Sequence, residues 1–240
     1  MRYYPIIMHT IDARPETERH AHLSADRFEK LNGIRPRVVT RADIEGCSNK
    51  YWYSAWVWDF VPANYDYVFF MDSKVLPIRR LPELPELKFA AALDRHDRIK
   101  HGMRYSELIN QTGKYYQMHV FFAHRDTQPA FEELKKLNSV AKYNTRGNSP
   151  AELGFDGRGN FTPMNEVIQA AVPVHELSHA WNWIITYEKQ FYYTDPYMIN
   201  FVANEYGTWA YFKFVRDLME RLEAAGGSLD SENTPVNALI

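Results

Sequence analysis

Five apolar runs, separated by polar or helix-periodic stretches, organise the chain. The first, YYPIIMHTI at 3–11, predicts a buried strand that ends in the polar turn Asp12-Ala13-Arg14-Pro15. Residues 16–32 predict an amphipathic helix, with Leu23, Phe28 and Leu31 on its inner side and Asn32-Gly33 as its stop. RPRVVT at 35–40 predicts a second strand. Tyr51, Ala55 and Trp58 recur at helical spacing within 49–60. Tyr67 to Met71 is the clearest strand, a continuous apolar run that stops abruptly at Asp72-Ser73-Lys74. Such a run marks a strand buried on both faces. KFAAAL at 88–93 predicts another, ending at Asp94-Arg95, and MHVFFAH at 118–124 a further one, followed by a helix over 127–138. The polar, glycine-bearing stretch 143–163 predicts a mobile loop, 164–171 a short helix, and 205–225 a C-terminal helix ending at Gly226-Gly227. Residues 228–240 predict a poorly ordered tail.

Alternating strands and helices argue for an α/β fold, a mostly parallel, Rossmann-like sheet covered by helices. With no internal repeat and no shift in composition, residues 1–227 are expected to form one domain. Ligands of such sheets sit beyond the carboxyl ends of the strands. That rule singles out Thr10, Asp12 and Arg14, then Asp72, Ser73 and Lys74, then Asp94 and Arg95.

Composition narrows the picture. At 240 residues with 45% hydrophobic and 24% charged positions, the chain can bury a real core, which excludes a wholly disordered or disulfide-held protein. The net charge of −2 gives no bulk attraction to nucleic acid or anionic membranes. The lone Cys47 forms no internal disulfide, which suits a reducing cytoplasm. The N-terminal apolar run, broken by Pro5, does not read as a signal peptide. No stretch approaches the ~18 apolar residues of a membrane helix. The aromatic share is high, at 15%. Aromatic faces stack on sugars and nucleobases, and they serve equally well as core.

Residues 65–84, YDYVFFMDSKVLPIRRLPEL, resemble the central segment of nucleotide-sugar-dependent GT-A glycosyltransferases of the glycogenin and lipopolysaccharide galactosyltransferase type. In that family a hydrophobic strand runs into an Asp-x-Asp motif. The order of looser likenesses extends the resemblance over residues 3–205: KYWYSAWVWD (50–59) resembles the helix before the motif, YYQMHVFFAHRDT (115–127) a later strand, and HELSHAWNW (175–183) a strand near the end. The opening IIMHTIDARPETERHAHL is similar to lipooligosaccharide glycosyltransferases. The resemblance implies a GT-A-like fold and transfer of a sugar from a nucleoside diphosphate, UDP among them, to an acceptor hydroxyl. The acceptor would be a glycan, a lipid-linked glycan, a protein or modified DNA.

One departure bears on the chemistry. Lys74 stands where the family has its second Asp. Paired carboxylates suit a hard divalent cation that bridges the diphosphate, whereas an ammonium repels a cation and meets the diphosphate directly. The expectation is therefore a transferase that requires no cofactor, with Mn²⁺ or Mg²⁺ held at Asp72 as the alternative. In this reading Lys74 stabilises the leaving group, and Asp72 and Ser73 orient the donor. Thr10, Asp12, Arg14 and Arg95 approach the nucleotide. Asn165, Glu166 and Asp94 contact the sugar or the acceptor, a carboxylate serving as base if the reaction inverts the sugar.

His175-Glu176-Leu177-Ser178-His179 competes with that reading, because two His at i and i+4 with an intervening Glu form the zinc peptidase pattern. Pro173 argues against it, since a proline inside the required helix costs roughly 3 kcal/mol. A non-catalytic nucleotide-sugar-binding protein is the other alternative. His119 reads as a sheet histidine, and Arg95, Arg98, Lys100, His101 and Arg104 as a solvated face or an anion site.

Overall fold

In the computed structural model, the described residues are 2–9, 15–47, 50–83, 86–93, 112–138, 161–184 and 196–200, with Glu220 and Ala224. Six strands form the main sheet in the order β2-β1-β3-β6-β5-β7. They are β1 (Tyr3–His9), β2 (Arg37–Thr40), β3 (Tyr67–Asp72), β5 (Phe89–Leu93), β6 (Tyr116–His124) and β7 (Val174–Leu177). Between β3 and β5 in sequence, β4 (Val75–Pro77) leaves this sheet and joins β8 (Trp183–Ile184) and β9 (Met198–Asn200) in a small second sheet, order β4-β9-β8.

The predicted α/β class and mostly parallel sheet are observed, since β1 is parallel to β2 and to β3, and β5 to β7. The exception is β6, antiparallel to both β3 and β5. It also starts at Tyr116, before the predicted Met118.

Why β3 is apolar throughout is now explicit. Its side chains alternate between two cores, because successive strand residues point to opposite faces. Val68 and Phe70 enter a core built with the 3-10 helix Lys50–Phe60 and the helices α2 (Gln128–Asn138) and α3 (Phe161–Ala171). Phe69 and Met71 enter the opposite core, with Ala21, Ala25 and Phe28 of α1 (Pro15–Asn32) and with Trp181. Much of the aromatic content goes here: Phe69 stacks on Phe122 with ring centroids 4.2 Å apart, and Phe70 on Phe121 at 4.5 Å. Both are directly opposed cross-strand pairs.

Several expectations are corrected. Segment 50–60 is helical as predicted, but with 3-10 geometry. Residues 161–163, assigned to the loop, already belong to α3. The segment 175–183 is not one strand: β7 ends at Leu177, a 3-10 turn follows at His179–Trp181, and β8 begins at Trp183. The inner face of α1 is Thr17, His20, Ala21, Ser24, Ala25, Arg27 and Phe28, while Leu23 and Leu31 are half-buried. Helix α1 ends where predicted, with Gly33 at φ 75 and its N–H bonded to the Glu29 carbonyl at 2.7 Å. Most of the predicted loop, nearly all of the C-terminal helix and the tail 228–240 lie outside the described residues, although Glu220 and Ala224 are helical. Among the described residues, no helix is long and apolar enough to cross a membrane.

Candidate active site

Asp72 ends β3 at its carboxyl end and is 4% exposed. By the alternation of β3 it falls on the side of the 3-10 helix, and there Tyr53 donates its hydroxyl to Oδ2. The Lys74 N–H donates to the other oxygen, Oδ1, at 2.9 Å. That second bond, from residue i+2 back to an aspartate, is the Asx turn that lets a short acidic side chain fold the backbone. Burial, then the negative charge of Asp72, then the hydrogen bond to it, push the Tyr53 hydroxyl well above the usual tyrosine value.

The opposite side of the same turn is held by α1. His20 Nδ1–H donates to the Ser73 carbonyl at 2.7 Å, Ser24 Oγ to the Val75 carbonyl at 2.7 Å, and Arg27 Nε to the Pro77 carbonyl at 2.7 Å. Arg27 Nη2 reaches the Ile78 carbonyl at 3.3 Å, and Asn32 Oδ1 accepts from the Leu81 N–H at 2.9 Å. Ser73 is buried and Lys74 half-buried. Beside this turn, Asn200 of β9 stands opposite Val75. It donates to Asn182 Oδ1 at 3.0 Å.

The direction of β6 brings His119, read from the sequence as a sheet histidine, and Gln117, not singled out there, close to the turn. The pairing of β6 with β3 stops at Met71↔Val120, so His119 and Gln117 lie on the strand next to the 72–74 turn, past the last pair. On its other side Gln117 pairs with Ala92, close to the carboxyl end of β5. His119 Nδ1–H donates to Gln117 Oε1 at 3.1 Å, and Gln117 Nε2 is a buried donor without a partner among the described residues. Such a group costs roughly 1–3 kcal/mol unless something satisfies it. His119 does lie in a strand, as the sequence predicts, while the predicted strand begins at Met118, one residue too late to include Gln117.

Asn165 serves the fold rather than facing a sugar. It is fully buried, its Oδ1 accepts from the Tyr116 N–H at 2.7 Å, and its Nδ2 donates to the Tyr116 carbonyl at 2.9 Å. The amide thus stands in for a missing strand partner at the start of β6. Asn165→Leu strands both Tyr116 groups and is expected to lower unfolding free energy by about 2 kcal/mol, readable in a urea titration. Glu166, next on α3, is half-buried. Thr10, Asp12, Arg14, Asp94, Arg95 and the basic cluster up to Arg104 lie outside the described residues. The residues just before the first and fourth of these, His9 and Leu93, end β1 and β5.

The zinc pattern is not built. His175 and Glu176 are exposed residues of strand β7, His179 is a buried residue of a 3-10 turn, and Glu176 pairs with Lys114 at 3.4 Å. The pattern needs both histidines on successive turns of one α-helix, whereas here the strand ends at Leu177 and the two lie in different elements. Among the described residues no group of three or more His, Cys, Asp or Glu is placed to hold a metal ion. The 72–74 turn does not suit a hard divalent cation either. Its one carboxylate is buried with both oxygens already bonded, and an ammonium takes the place of a second.

No protein-family model matches the chain, and no curated protein matches it in sequence. Its fold, however, is found among solved structures. One is a glycosyltransferase involved in the glycosylation of the major capsid of PBCV-1, 11% identical, with a TM-score of 0.59 over 89% of this chain and 98% of that one. Another is the glycosyltransferase GlyE of Streptococcus pneumoniae TIGR4, 13% identical, with a TM-score of 0.53 over 94% of this chain. The chain spans 64% of GlyE. With its mostly parallel six-stranded sheet and these structural likenesses, the chain has the GT-A glycosyltransferase fold that residues 65–84 resemble.

Proposed function

We propose that the protein transfers a sugar from a nucleoside-diphosphate donor, a UDP sugar among the candidates, to an acceptor hydroxyl, and that it does so without a divalent cation. The observation that carries this reading is the Asp72-Ser73-Lys74 turn, fastened from both sides at the place where sheets of this kind bind ligands. In the reaction the bond between the anomeric carbon and the β-phosphate oxygen breaks and a bond to the acceptor oxygen forms. Negative charge grows on the departing diphosphate, and a preorganised cation is the group that stabilises it. Lys74 fills that role. Thr10, Asp12, Arg14 and Arg95 approach the nucleotide, with Ser73 beside the phosphates. Asp72 contributes by shaping the turn. Glu166 or Asp94 takes the acceptor's proton. Gln117 Nε2, a buried donor with no partner among the described residues, suits a sugar hydroxyl. The lone cysteine fits a reducing cytoplasm, where nucleotide sugars are the ordinary donors.

A thermal-shift screen against nucleotide sugars is the direct test, because a ligand bound only by the folded state raises apparent stability. The expected result is a shift with one donor class, followed by release of free nucleoside diphosphate with turnover in the presence of EDTA. A shift without any turnover would favour a binding protein; neither shift nor turnover would reject the reading.

A further inference from the structure

Helix α1 carries a buried polar row where an amphipathic helix ordinarily carries leucines. His20, Ser24 and Arg27 are 3%, 0% and 5% exposed. At 100° per residue they fall within about 60° of one another on the helix. Each donates to a carbonyl two residues further along one short stretch of backbone: Ser73, Val75, Pro77. That spacing has a cause. Val75 and Pro77 stand at i and i+2 of β4. In a strand such carbonyls point to the same edge, about 6.6 Å apart, close to the rise of one helical turn and a little more. Ser73 adds a third carbonyl from the turn just before the strand. One edge of β4 pairs with β9, and the other edge has no strand beside it among the described residues. The side chains of α1 are its partners on that edge.

We infer that this polar row is a positioning device for the transfer reaction, an inference that rests on the proposed function. Ser73 is the residue between Asp72 and Lys74, so the first bond of the row, from His20, grips the turn itself. Tyr53 grips Asp72 from the opposite face of the sheet. The Lys74 backbone is therefore clamped between a helix on each side, and its ammonium starts from a fixed origin. A lysine used in place of a metal needs such a frame, because its own four-carbon stem is flexible. Arg27, with two carbonyls on one guanidinium, holds the far end of β4 and stops the strand from sliding away from the turn. His20, Ser24 and Arg27 touch no reacting atom in this scheme; they act through the backbone of 73–78.

The test compares His20→Leu, His20→Asn and Arg27→Met with the native protein, each first shown to be folded by circular dichroism. Asn places an amide N–H near the position of Nδ1, and Leu does not. Donor turnover and amide hydrogen exchange over residues 74–81 are measured for each. We expect His20→Leu and Arg27→Met to lower kcat about ten-fold with the acceptor KM unchanged and to exchange faster over 74–81, and His20→Asn to recover most of the rate. Folded His20→Leu and Arg27→Met with native kcat, whatever their Tm, would show a structural role only and overturn the inference while leaving the transfer reading intact. A native protein that neither binds nor turns over any nucleotide sugar would overturn the transfer reading, and this inference with it.

Discussion

Replacing Lys74 with alanine is expected to lower sugar transfer by about 10²- to 10³-fold while the protein stays folded. An ammonium ~4 Å from a phosphate oxygen contributes about 4 kcal/mol at an effective dielectric near 20. Only the part of that interaction that grows as the diphosphate departs appears in the rate, and each 1.36 kcal/mol is about ten-fold. Lys74 is half-buried, so removing its stem exposes little core and stability should hold. Initial rates in EDTA and in Mn²⁺ separate the lysine mechanism from a metal one. On the proposed function the native protein should be indifferent to both, and Lys74→Arg should keep part of the rate because the charge remains. Lys74→Asp is the sharper variant. It restores the acidic pair, and any activity it shows should require Mn²⁺. Activity abolished by EDTA in the native protein, with Lys74→Ala near normal, would reject the role assigned to the lysine.

Tyr53→Phe should be the most damaging single change to stability near the site. It deletes one hydroxyl, yet it leaves a buried carboxylate with one bond fewer. Stranding a buried charge in this way costs about 3 kcal/mol, which for a chain of this size is a fall in Tm of roughly 10 °C. The pH dependence has a definite sign. Burial, the Asp72 charge and the hydrogen bond to it all raise the Tyr53 hydroxyl above its ordinary value near 10. Below about pH 10 the group is protonated in both folded and unfolded chains, and its contribution is complete. Above that pH the unfolded chain loses the proton first, so stability falls as pH rises toward the folded value, by up to about 1.4 kcal/mol per pH unit. Burial raises Tyr3 and Tyr116 as well. Tyr53→Phe should therefore flatten the alkaline limb of a urea-unfolding profile by one tyrosine's share. An unchanged slope above pH 10 would contradict the buried Tyr53–Asp72 pair.

What could be read from the sequence follows a physical pattern. The run Tyr67–Met71 was legible because a strand covered on both faces must be apolar at every position, and its polar terminus marked the turn. The inner face of α1 was legible only at Phe28, because amphipathicity equates the buried side with the apolar side. His20, Ser24 and Arg27 are buried against backbone carbonyls, a partner that leaves no trace in hydropathy. Tyr53 was hidden for a related reason: in KYWYSAWVWDF every ring looks like packing, and nothing local tells which one carries a hydrogen bond to Asp72. The reversed direction of β6 escaped because strand–helix alternation favours parallel crossovers, and with it went the placement of Gln117 and His119. Strands β4, β8 and β9, two or three residues long, are too short to show a period of two. The His-Glu-x-x-His spacing was present without the helix that gives it meaning, and Pro173 was the local sign of that.

The two partners of β4 reach it at very different moments of synthesis. Helix α1 precedes it in the chain, so His20, Ser24 and Arg27 are already made when Val75 leaves the ribosome. Strand β9 follows much later, and its pairing Val75↔Asn200 closes one of the longest loops among the described residues. Loop closure is an entropic cost met before the contact returns anything, and contacts far apart in sequence form late. A chain released short of Met198 would hold β4 by its helical edge alone. Strand β4 and the turn before it should thus mature in two stages, a helix-docked form first and a strand-sealed form last, and translation arrest between them would yield a folded main sheet with β4 unsealed.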